Sequence, residues 1–434
     1  MGARRTILLG ATAVAGLSLL AAACGNAKST SSSGSNGGST APGVTATSIT
    51  VGSIVDKSGI DSSDFSAIAS GVQAYFSTVN AQGGVNGRKL SLPSSNILDD
   101  GGLPTGDTTA AQELVQQKSV FAVVGVASPF FSGATFLTQQ GTPTFGYAVS
   151  TDWAPGTNLF GSYGSYLGFD TAVPGYAYIA NQLKSTSVAI LAYAVPQSAA
   201  ACEAADTGLR KLGVNVSFVD TKLFFGTDPT ADVLQMKAHH VDMVFSCLDV
   251  SGNVAFARSI AQNSLGTVNQ IWLNGYDRTT LQQDSQYMKG VYFSVQHVPF
   301  EAASLAGSYP GLQSYLTAMA KYQPADTYNE SALAGWVSAD QFVTGLKAVG
   351  PDLTQKALID AINSETAFTG DGLTTPTNWT VDHTSAGPGP YCAAVVGVSG
   401  SKFTLAFTNG NQVFRCFTLT SATPVAAPAG TPGS

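Results

Sequence analysis

The residue types that carry most enzymatic and metal chemistry are scarce in this sequence and do not fall into known catalytic patterns. Of the four histidines, His239 and His240 are adjacent and would point in different directions on a helix. There is no G-x-S-x-G, no H-E-x-x-H and no C-x-x-C, and residues 83–89 lack the spacing of a phosphate-binding loop. We therefore predict no enzymatic activity, no metal site and no cofactor.

The cysteines instead suggest disulfide bonds. Apart from Cys24, they are Cys202, Cys247, Cys392 and Cys416, an even set that could form two disulfide bonds in one of three pairings. We favour Cys202 with Cys247 and Cys392 with Cys416, because the second pair flanks two β-rich runs that a sheet would bring together. Four buried free thiols are the alternative. Disulfide bonds imply an oxidising compartment outside the cytosol.

The N-terminus has the pattern of an export signal. Arg4 and Arg5 precede an apolar run at residues 7–20, and three alanines precede Cys24. This stretch resembles a bacterial lipoprotein signal, in which the cysteine is lipidated and becomes the mature N-terminus. The resemblance implies attachment to the outer face of a bacterial cell membrane through lipid on Cys24. Ordinary signal cleavage, with an idle Cys24, is the alternative.

The composition bounds the rest of the chain. The 434 residues predict two domains, and with 44% hydrophobic and only 11% charged residues the chain can bury large cores. The charged residues are 27 acidic and 20 basic, so a nucleic-acid partner is not expected. Residues 25–43 are rich in Ser, Gly, Asn and Thr, as in a flexible tether. The Pro-Ala-Gly-rich end predicts a disordered tail.

Between these ends, strand-like and helix-like segments alternate. This alternation favours parallel sheets with helices on both faces. Predicted strands are residues 49–55, 121–125, 144–148, 188–193, 214–219, 242–247 and 270–274. Predicted helices are residues 132–140, 175–184, 200–212, 230–239, 253–263, 309–322, 329–349 and 354–362. The chain then ends in β-rich segments, which would complete a second domain.

One stretch is more specific than the alternation. Residues 80–90, N-A-Q-G-G-V-N-G-R-K-L, end a helix and enter a strand through two glycine turns. With it, the chain resembles the type I periplasmic binding proteins of the leucine/isoleucine/valine-binding family, the receptors of branched-chain amino acid ABC importers. The supporting residues are 49–55, Ser58 and Gly59, 71–76, 123–125, 188–191 and 368–372.

The resemblance implies an α/β fold of two doubly wound parallel-sheet lobes joined by three crossovers. A small ligand would lie in the cleft between the lobes, and closure of the lobes would be read by the permease of an ABC importer. We expect a monomer. The predicted boundaries are a signal peptide at 1–23, a lipidated cysteine and tether at 24–47, lobe 1 at 48–164 plus 297–371, lobe 2 at 165–296 plus 372–420, and a disordered tail at 421–434.

The same resemblance implies a set of ligand contacts. In lobe 1 they would be Ser58, Ser128, Phe130, Phe131, Ser132, Tyr147, Ala148 and Ser150. In lobe 2 they would be Asp249, Tyr276 and Asp277. The backbone amide of Ala148 and the hydroxyl of Ser150 would hold a carboxylate, and Asp277 would pair with an amine. Helix or turn capping is the alternative role of Asp277, and loop packing is that of the two phenylalanines.

Several of these positions differ from those typical of amino-acid receptors. Proline and two phenylalanines occupy residues 128–132, where relatives often have a run of small polar residues, and the tyrosine that the resemblance leads us to expect around residues 196–198 is absent. We therefore expect a small organic ligand that is an amino acid or a related amide or aromatic compound. A lipid-anchored, ligand-sensing protein without a transport role is the alternative function.

Overall fold

The computed structural model describes residues 41–165, 169–305, 307–381, 383 and 389–433. The predicted signal peptide and Cys24 lie outside these residues. Within the described chain, no helix combines the length and the apolar character that crossing a membrane requires.

The strands form two separate sheets. The first sheet consists of β1 (Ser48–Thr50), β2 (Ser53–Val55), β3 (Lys89–Ser91), β4 (Ile97–Asp99), β5 (Val123–Val126), β6 (Thr144–Gly146) and β7 (Leu159–Gly161). It is made of three ladders, β1–β3, β2–β4 and β5–β6–β7, which the isolated bridges Gly52–Val123 and Val55–Ala127 join. The second consists of β8 (Val188–Tyr193), β9 (Val216–Leu223), β10 (Met243–Cys247), β11 (Asn269–Trp272), β12 (Val291–Val295), β13 (Tyr391–Ser399), β14 (Lys402–Ala406), β15 (Phe414–Thr418) and β16 (Ser421–Val425).

Helices connect and cover these strands. They are α1 (Ser62–Phe65), α2 (Ile68–Ala81), α3 (Pro104–Gln112), α4 (Ala134–Gln139), α5 (Val173–Gln182), α6 (Pro196–Lys211), α7 (Thr230–Ala238), α8 (Val250–Gln262), α9 (Arg278–Asp284), α10 (Pro310–Tyr322), α11 (Glu330–Val349) and α12 (Gln355–Ile362). The central strands β5, β8 and β10 are buried along their whole length. Such strands are apolar at nearly every position, because helices cover both faces of a parallel sheet.

The two sheets have the same strand order. In the first, β1 and β2 lie between β3 and β4 on one side and β5, β6 and β7 on the other, all parallel. In the second, β9, β8, β10, β11 and β12 repeat that order in parallel, and β13 to β16 extend the sheet antiparallel. Helices α10 and α11 pack on α2, so the chain passes between the two sheets three times. The predicted fold class is confirmed, whereas the exact lobe boundaries stay predictions.

Two terminal segments differ from the sequence-based expectation. Residues 41–47, the end of the predicted tether, pack on the body: Val44 is buried and the Arg88 Nε donates to the Thr45 carbonyl (2.9 Å). Within the predicted disordered tail, β16 pairs with β15. Both segments have compositions typical of disorder, but composition does not reveal hydrogen bonds such as those from Arg88 to Thr45 and between β15 and β16. The edge position of β16 also tolerates Pro424.

The cysteine pairing is confirmed by the structure, which holds disulfide bonds Cys202–Cys247 and Cys392–Cys416. The first links α6 to the end of β10, and the second joins facing residues of β13 and β15. The predicted glycine turns at residues 80–90 are also present. There the Asn80 amide donates to the Leu90 carbonyl and accepts from the Leu90 N–H, both at 2.8 Å.

Helices α2 and α11 approach each other backbone to backbone. A Cβ on Gly71 would lie 1.8 Å from the carbonyl oxygen of Ala332, and a Cβ on Gly335 would lie 2.0 Å from that of Ile68. Real Cβ atoms cannot approach backbone oxygens so closely, so glycine is required at both positions. The contact fixes α11, which is distant in sequence, against the first sheet.

Gly335→Ala should therefore destabilise the protein by about 1–3 kcal/mol or more, because the helices must move apart. The measurement is the free energy of unfolding from urea denaturation. Gly175→Ala is the matched control, since a Cβ in that helix would have its nearest neighbour at 3.7 Å. It should change stability by no more than about 1 kcal/mol. Equal effects of the two substitutions would contradict the close-contact explanation.

Candidate functional site

A cavity of about 720 Å³ lies where the carboxyl ends of the parallel strands of both sheets face each other. Open α/β sheets place ligands at these strand ends, because the loops there are free to carry polar side chains. The volume falls within the roughly 300–1,000 Å³ of typical small-molecule sites. The cavity is therefore the candidate ligand site.

Each sheet contributes loops and strand ends to the wall. From the first sheet come Asp61 and Asp64 after β2, Phe130 after β5, Tyr147 and Ala148 after β6, and Tyr163 after β7. From the second come Tyr193 at the end of β8, Phe225 after β9, Asp249 after β10 and Asn274 after β11. Glu330, the first residue of α11, also lines the cavity.

The loop that carries Asp61 is held by backbone hydrogen bonds. The N–H of Gly59 donates to the Asp56 carboxylate (2.6 Å), and that of Lys57 donates to Asp99 (3.0 Å). A Cβ on Gly59 would lie 2.5 Å from Asp56 Oδ1 and 2.6 Å from the backbone of Gly101, so only glycine fits. Helix α1, which carries Asp64, is tied to α11 by the Ser331 hydroxyl, which donates to the Phe65 carbonyl (3.0 Å).

Three carboxylates behind this loop are close together. Oxygens of Asp56, Asp99 and Asp100 lie within 4.8 Å of one another, a spacing that a cation could use. Each carboxylate already accepts a hydrogen bond from a backbone N–H group. The donors to Asp56 and Asp99 are given above, and the donor to Asp100 is the N–H of Gly102 (2.8 Å). We interpret the group as the support of the two glycine-containing loops at this edge of the sheet.

Aromatic side chains form much of the apolar wall. The Tyr147 ring meets those of Phe65 and Tyr163 edge to face, with centroids 6.3 Å and 5.7 Å apart. On the opposite side, the rings of Tyr193 and Phe225 pack with centroids 4.1 Å apart. The Tyr163 hydroxyl is buried and has no hydrogen-bond partner in the described chain. The wall therefore suits an apolar or aromatic body with some polar groups.

Two of the four carboxylates on the wall have protein partners. Asp249 caps α8 by accepting from the N–H groups of Ser251 and Gly252, and it also accepts from the Tyr193 hydroxyl (2.5 Å). Glu330 Oε1 lies 3.1 Å from Nε2 of the fully buried His297, whose Nδ1 faces a backbone carbonyl. The imidazole ring is thus held between the Glu330 carboxylate and the backbone carbonyl of Val298.

The other two carboxylates, Asp61 and Asp64, have neither a hydrogen-bond partner nor a salt bridge for their side chains among the described residues. Burial, reinforced by the negative charges of Asp249 and Asp56, raises the pKa of Asp61 to about 6. Burial, together with Asp61, Asp249, Asp277 and Glu330, raises the pKa of Asp64 well above its ordinary value. Both shifts express the cost of holding a carboxylate charge here without a cation.

Four of the residues proposed from the sequence line the cavity. They are Phe130, Tyr147 and Ala148 from the first sheet and Asp249 from the second. The carboxylate of Asp249 is directed to its own helix cap and to Tyr193, a role that the sequence did not indicate.

The remaining proposed residues of the first sheet lie off the cavity wall. Ser58 is exposed next to the Asp99 carboxylate. The Ser128 hydroxyl forms a local turn with Phe130, and Ser132 follows in the same loop. Phe131 is fully buried against Trp153, with ring centroids 4.5 Å apart.

The other three have structural partners of their own. Ser150 is buried, and its hydroxyl donates to Asp152 (3.1 Å). Tyr276 is buried in the core, and its hydroxyl donates to Glu301 and accepts from the Phe300 N–H (2.9 Å). Asp277 accepts from the Thr280 N–H (2.8 Å) and so caps α9, the alternative role considered for it.

Sequence reasoning missed Asp61, Asp64, Tyr163, Tyr193 and Glu330. One signal could have found most of them. Asp61, Asp64, Tyr163 and Tyr193 each end or follow a strand of a parallel sheet, where ligand contacts are expected. Glu330 follows no strand, and the close packing of α11 on α2 places it at the cavity.

Comparison with known proteins supports a single family. A family described as periplasmic binding protein matches residues 48–402. No protein of the curated set matches the sequence. Among solved structures, the fatty acid ABC transporter substrate-binding protein from Thermomonospora curvata superposes with a TM-score of 0.71 at 20% identity. That match covers 90% of this chain and 97% of that chain.

Two further structures share the fold. The solute-binding protein of an ABC transporter from R. palustris, in complex with benzoate, gives a TM-score of 0.68 at 15% identity and covers 89% of this chain and 99% of its own. A branched-chain amino acid ABC transporter protein from Thermus thermophilus with bound valine gives a TM-score of 0.68 at 16% identity. That match covers 84% of this chain and 97% of that chain.

The partly buried carboxylate of Asp64 generates a stability prediction. Since its pKa is raised in the folded state, the folded protein binds this proton more tightly than the unfolded chain, and stability falls as the pH rises above ~4. Asp64→Asn should therefore raise the free energy of unfolding at pH 7.5, by on the order of 1 kcal/mol, and by much less at pH 4.

Urea denaturation at the two pH values measures this difference. Asp360→Asn is the matched control, because Asp360 is exposed and pairs only with Lys356 on the surface (2.6 Å). It should change stability by less than about 1 kcal/mol at either pH. A destabilised Asp64→Asn protein at pH 7.5 would show that the carboxylate is well accommodated.

Proposed function

The chain belongs to the periplasmic binding protein family, and we propose that it is the extracytoplasmic solute receptor of an ABC importer. It captures a small organic ligand in the 720 Å³ cavity between its two sheets. The observation that carries this proposal is the shared wall, to which loops at the carboxyl ends of both sheets contribute. A ligand that contacts both sets of loops stabilises their approach to each other.

The energetics of such a receptor are favourable. A ligand shifts the protein toward the closed form only through contacts that are better there than in the open form. Micromolar affinity corresponds to a binding free energy of about 8 kcal/mol. A ligand that binds the closed form more tightly than the open form by roughly 5.5 kcal/mol shifts a closed-to-open ratio of 1:99 to 99:1. Contacts to Tyr147 on one side and Tyr193 on the other are the ones that closure would complete.

The ligand class follows from the wall and from the neighbours. The related structures include a fatty acid transporter receptor, a benzoate complex and a valine complex, so proteins of this fold bind several kinds of small organic ligand. The aromatic wall favours a ligand with an apolar or aromatic body, such as an amino acid or a related amide or aromatic compound. Phe130, Tyr147, Ala148 and Asp249 are the proposed contacts from the sequence, joined by Asp61, Asp64, Tyr163 and Tyr193.

The setting of the receptor is also part of the proposal. Lipid on Cys24 would hold a monomer at the outer face of a bacterial membrane, next to the permease of the importer. The two disulfide bonds fit an oxidising compartment. Ligand uptake by cells that lack this protein distinguishes a transport receptor, whose loss abolishes uptake, from a sensor, whose loss does not.

A thermal-shift screen over amino acids, amides, amines and aromatic acids tests ligand capture. A true ligand at 100 times its dissociation constant should stabilise the protein by about 2.7 kcal/mol. Tyr147→Ala should weaken binding at least about tenfold, because it removes an aromatic wall contact.

Phe224→Ala is the matched control, since the Phe224 side chain is 72% exposed and lies off the cavity wall. It should leave affinity unchanged. If Tyr147→Ala bound the ligand as tightly as the control, the cavity would not be the ligand site.

A further inference from the structure

The charge of the cavity wall restricts the ligand further. Four carboxylates line the cavity, namely those of Asp61, Asp64, Asp249 and Glu330, whereas no lysine, arginine or histidine of the described chain does. The stretches that the structure does not describe after residue 40 are 166–168, 306, 382, 384–388 and 434, and their sequence contains no basic residue. The wall therefore has an excess of negative charge.

Protein groups of the described chain supply hydrogen-bond partners to only two of these four carboxylates. Asp249 is capped and hydrogen-bonded, and Glu330 faces His297, as described above. Asp61 and Asp64 have no side-chain partner among the described residues, and the charge of Asp61 contributes to the raised pKa of Asp64. A partly buried carboxylate without a counter-charge is unfavourable for the protein alone. A bound cation would remove this cost.

The aromatic rings add a second kind of attraction for a cation. Tyr147 and Tyr163 lie on the same wall as Asp64, and the charge of Asp64 is close enough to contribute to the raised pKa of Tyr147. Aromatic faces attract ammonium groups through their quadrupole, most strongly where water is excluded. The unpartnered hydroxyl of Tyr163 can accept a hydrogen bond from an ammonium N–H.

We propose that the ligand is an organic cation, an amine or quaternary ammonium compound with an apolar or aromatic body and no carboxylate. This inference rests on the proposed function and specifies the ligand of the same cavity. The cation would lie between Asp61, Asp64 and the tyrosine rings. A ligand carboxylate would find no basic side chain on the described wall, and it would be repelled by the acids that are there.

Ligand sets matched in skeleton but different in charge test the proposal. One set is 2-phenylethylamine, phenylalanine and 3-phenylpropanoate; another is pentylamine, norleucine and hexanoate; choline adds a quaternary cation. Thermal shift and calorimetry on the full protein at pH 7.5 should show at least about tenfold tighter binding of cations than of their matched zwitterions and acids.

The other outcomes separate this inference from the proposed function. Tighter binding of any acid or zwitterion than of its matched amine would overturn the inference and leave a solute receptor in place. A panel without a binder in any charge class would overturn both.

Variants locate the cation. Asp61→Asn and Asp64→Asn should each weaken binding of the best amine at least about tenfold, since each removes one carboxylate charge. Asp360→Asn, on the exposed surface, should not change it. Because Asp64→Asn is expected to stabilise the fold, lost binding in a more stable protein cannot result from misfolding. Unchanged amine affinity in both cavity variants would contradict the proposal.

The pH dependence gives an independent readout. The charges that act on Asp61 are those of Asp249 and Asp56, and Tyr193 lies close to it. The neighbouring Asp64 is also influenced by Asp277 and by Glu330, which contacts His297. Since the pKa of Asp61 is about 6, this carboxylate is protonated at lower pH and no longer attracts a cation. Amine affinity should fall below pH 6, by up to about tenfold per pH unit, and this fall should be weaker in Asp61→Asn. Affinity that rises toward pH 5 would refute the assignment.

Discussion

The backbone contact between α2 and α11 is the constraint on which the first half of the site depends. Gly71 and Gly335 allow the two helices to touch, although their segments are more than 250 residues apart in the chain. Once α11 is in place, Glu330 at its start reaches the cavity and Ser331 holds α1 through the Phe65 carbonyl. The same helix therefore positions both a carboxylate of the wall and the element that carries Asp64.

The cavity contains carboxylates of two kinds, which differ in whether the described protein supplies them with hydrogen-bond partners. Asp249 and Glu330 are satisfied by the protein, so they orient loops and helices at little cost. Asp61 and Asp64 are left without partners, and their raised pKa values show that the fold loses stability by keeping them ionised. Ligand sites often retain such unfavourable groups, because the free energy is recovered when the ligand binds.

Much of the fold could be predicted from the residues themselves. Strand β8 coincides with the predicted 188–193, and α10 to α12 begin within one residue of their predicted starts. Asn329 and Thr354 cap α11 and α12, and α10 begins with a proline, which is typical of a first helical position. The two disulfide pairs were also favoured from the sequence. The short elements β4, β7 and α1 were not predicted, because three or four residues carry too little periodicity to be recognised.

The site was less predictable than the fold. Tyr147 and Phe130 line the cavity as the family resemblance implied, whereas Tyr276 and Asp277 do not form part of its wall. A tyrosine or an aspartate after a strand can either face the cavity or satisfy the local backbone, and Tyr276 and Asp277 do the latter. The orientation of such a side chain depends on hydrogen-bond partners, here Glu301 for Tyr276 and Thr280 for Asp277, whose positions follow from tertiary packing.

Proton release on ligand binding tests the central claim most directly, because it reports the ionisation of the carboxylates that meet the ligand. Calorimetric titration of the best-binding amine at pH 6, in two buffers of different ionisation enthalpy, gives the number of protons exchanged. The account predicts net release of protons, since a bound cation lowers the raised pKa of Asp61. Proton uptake, or no exchange at all, would contradict a cation held by these carboxylates.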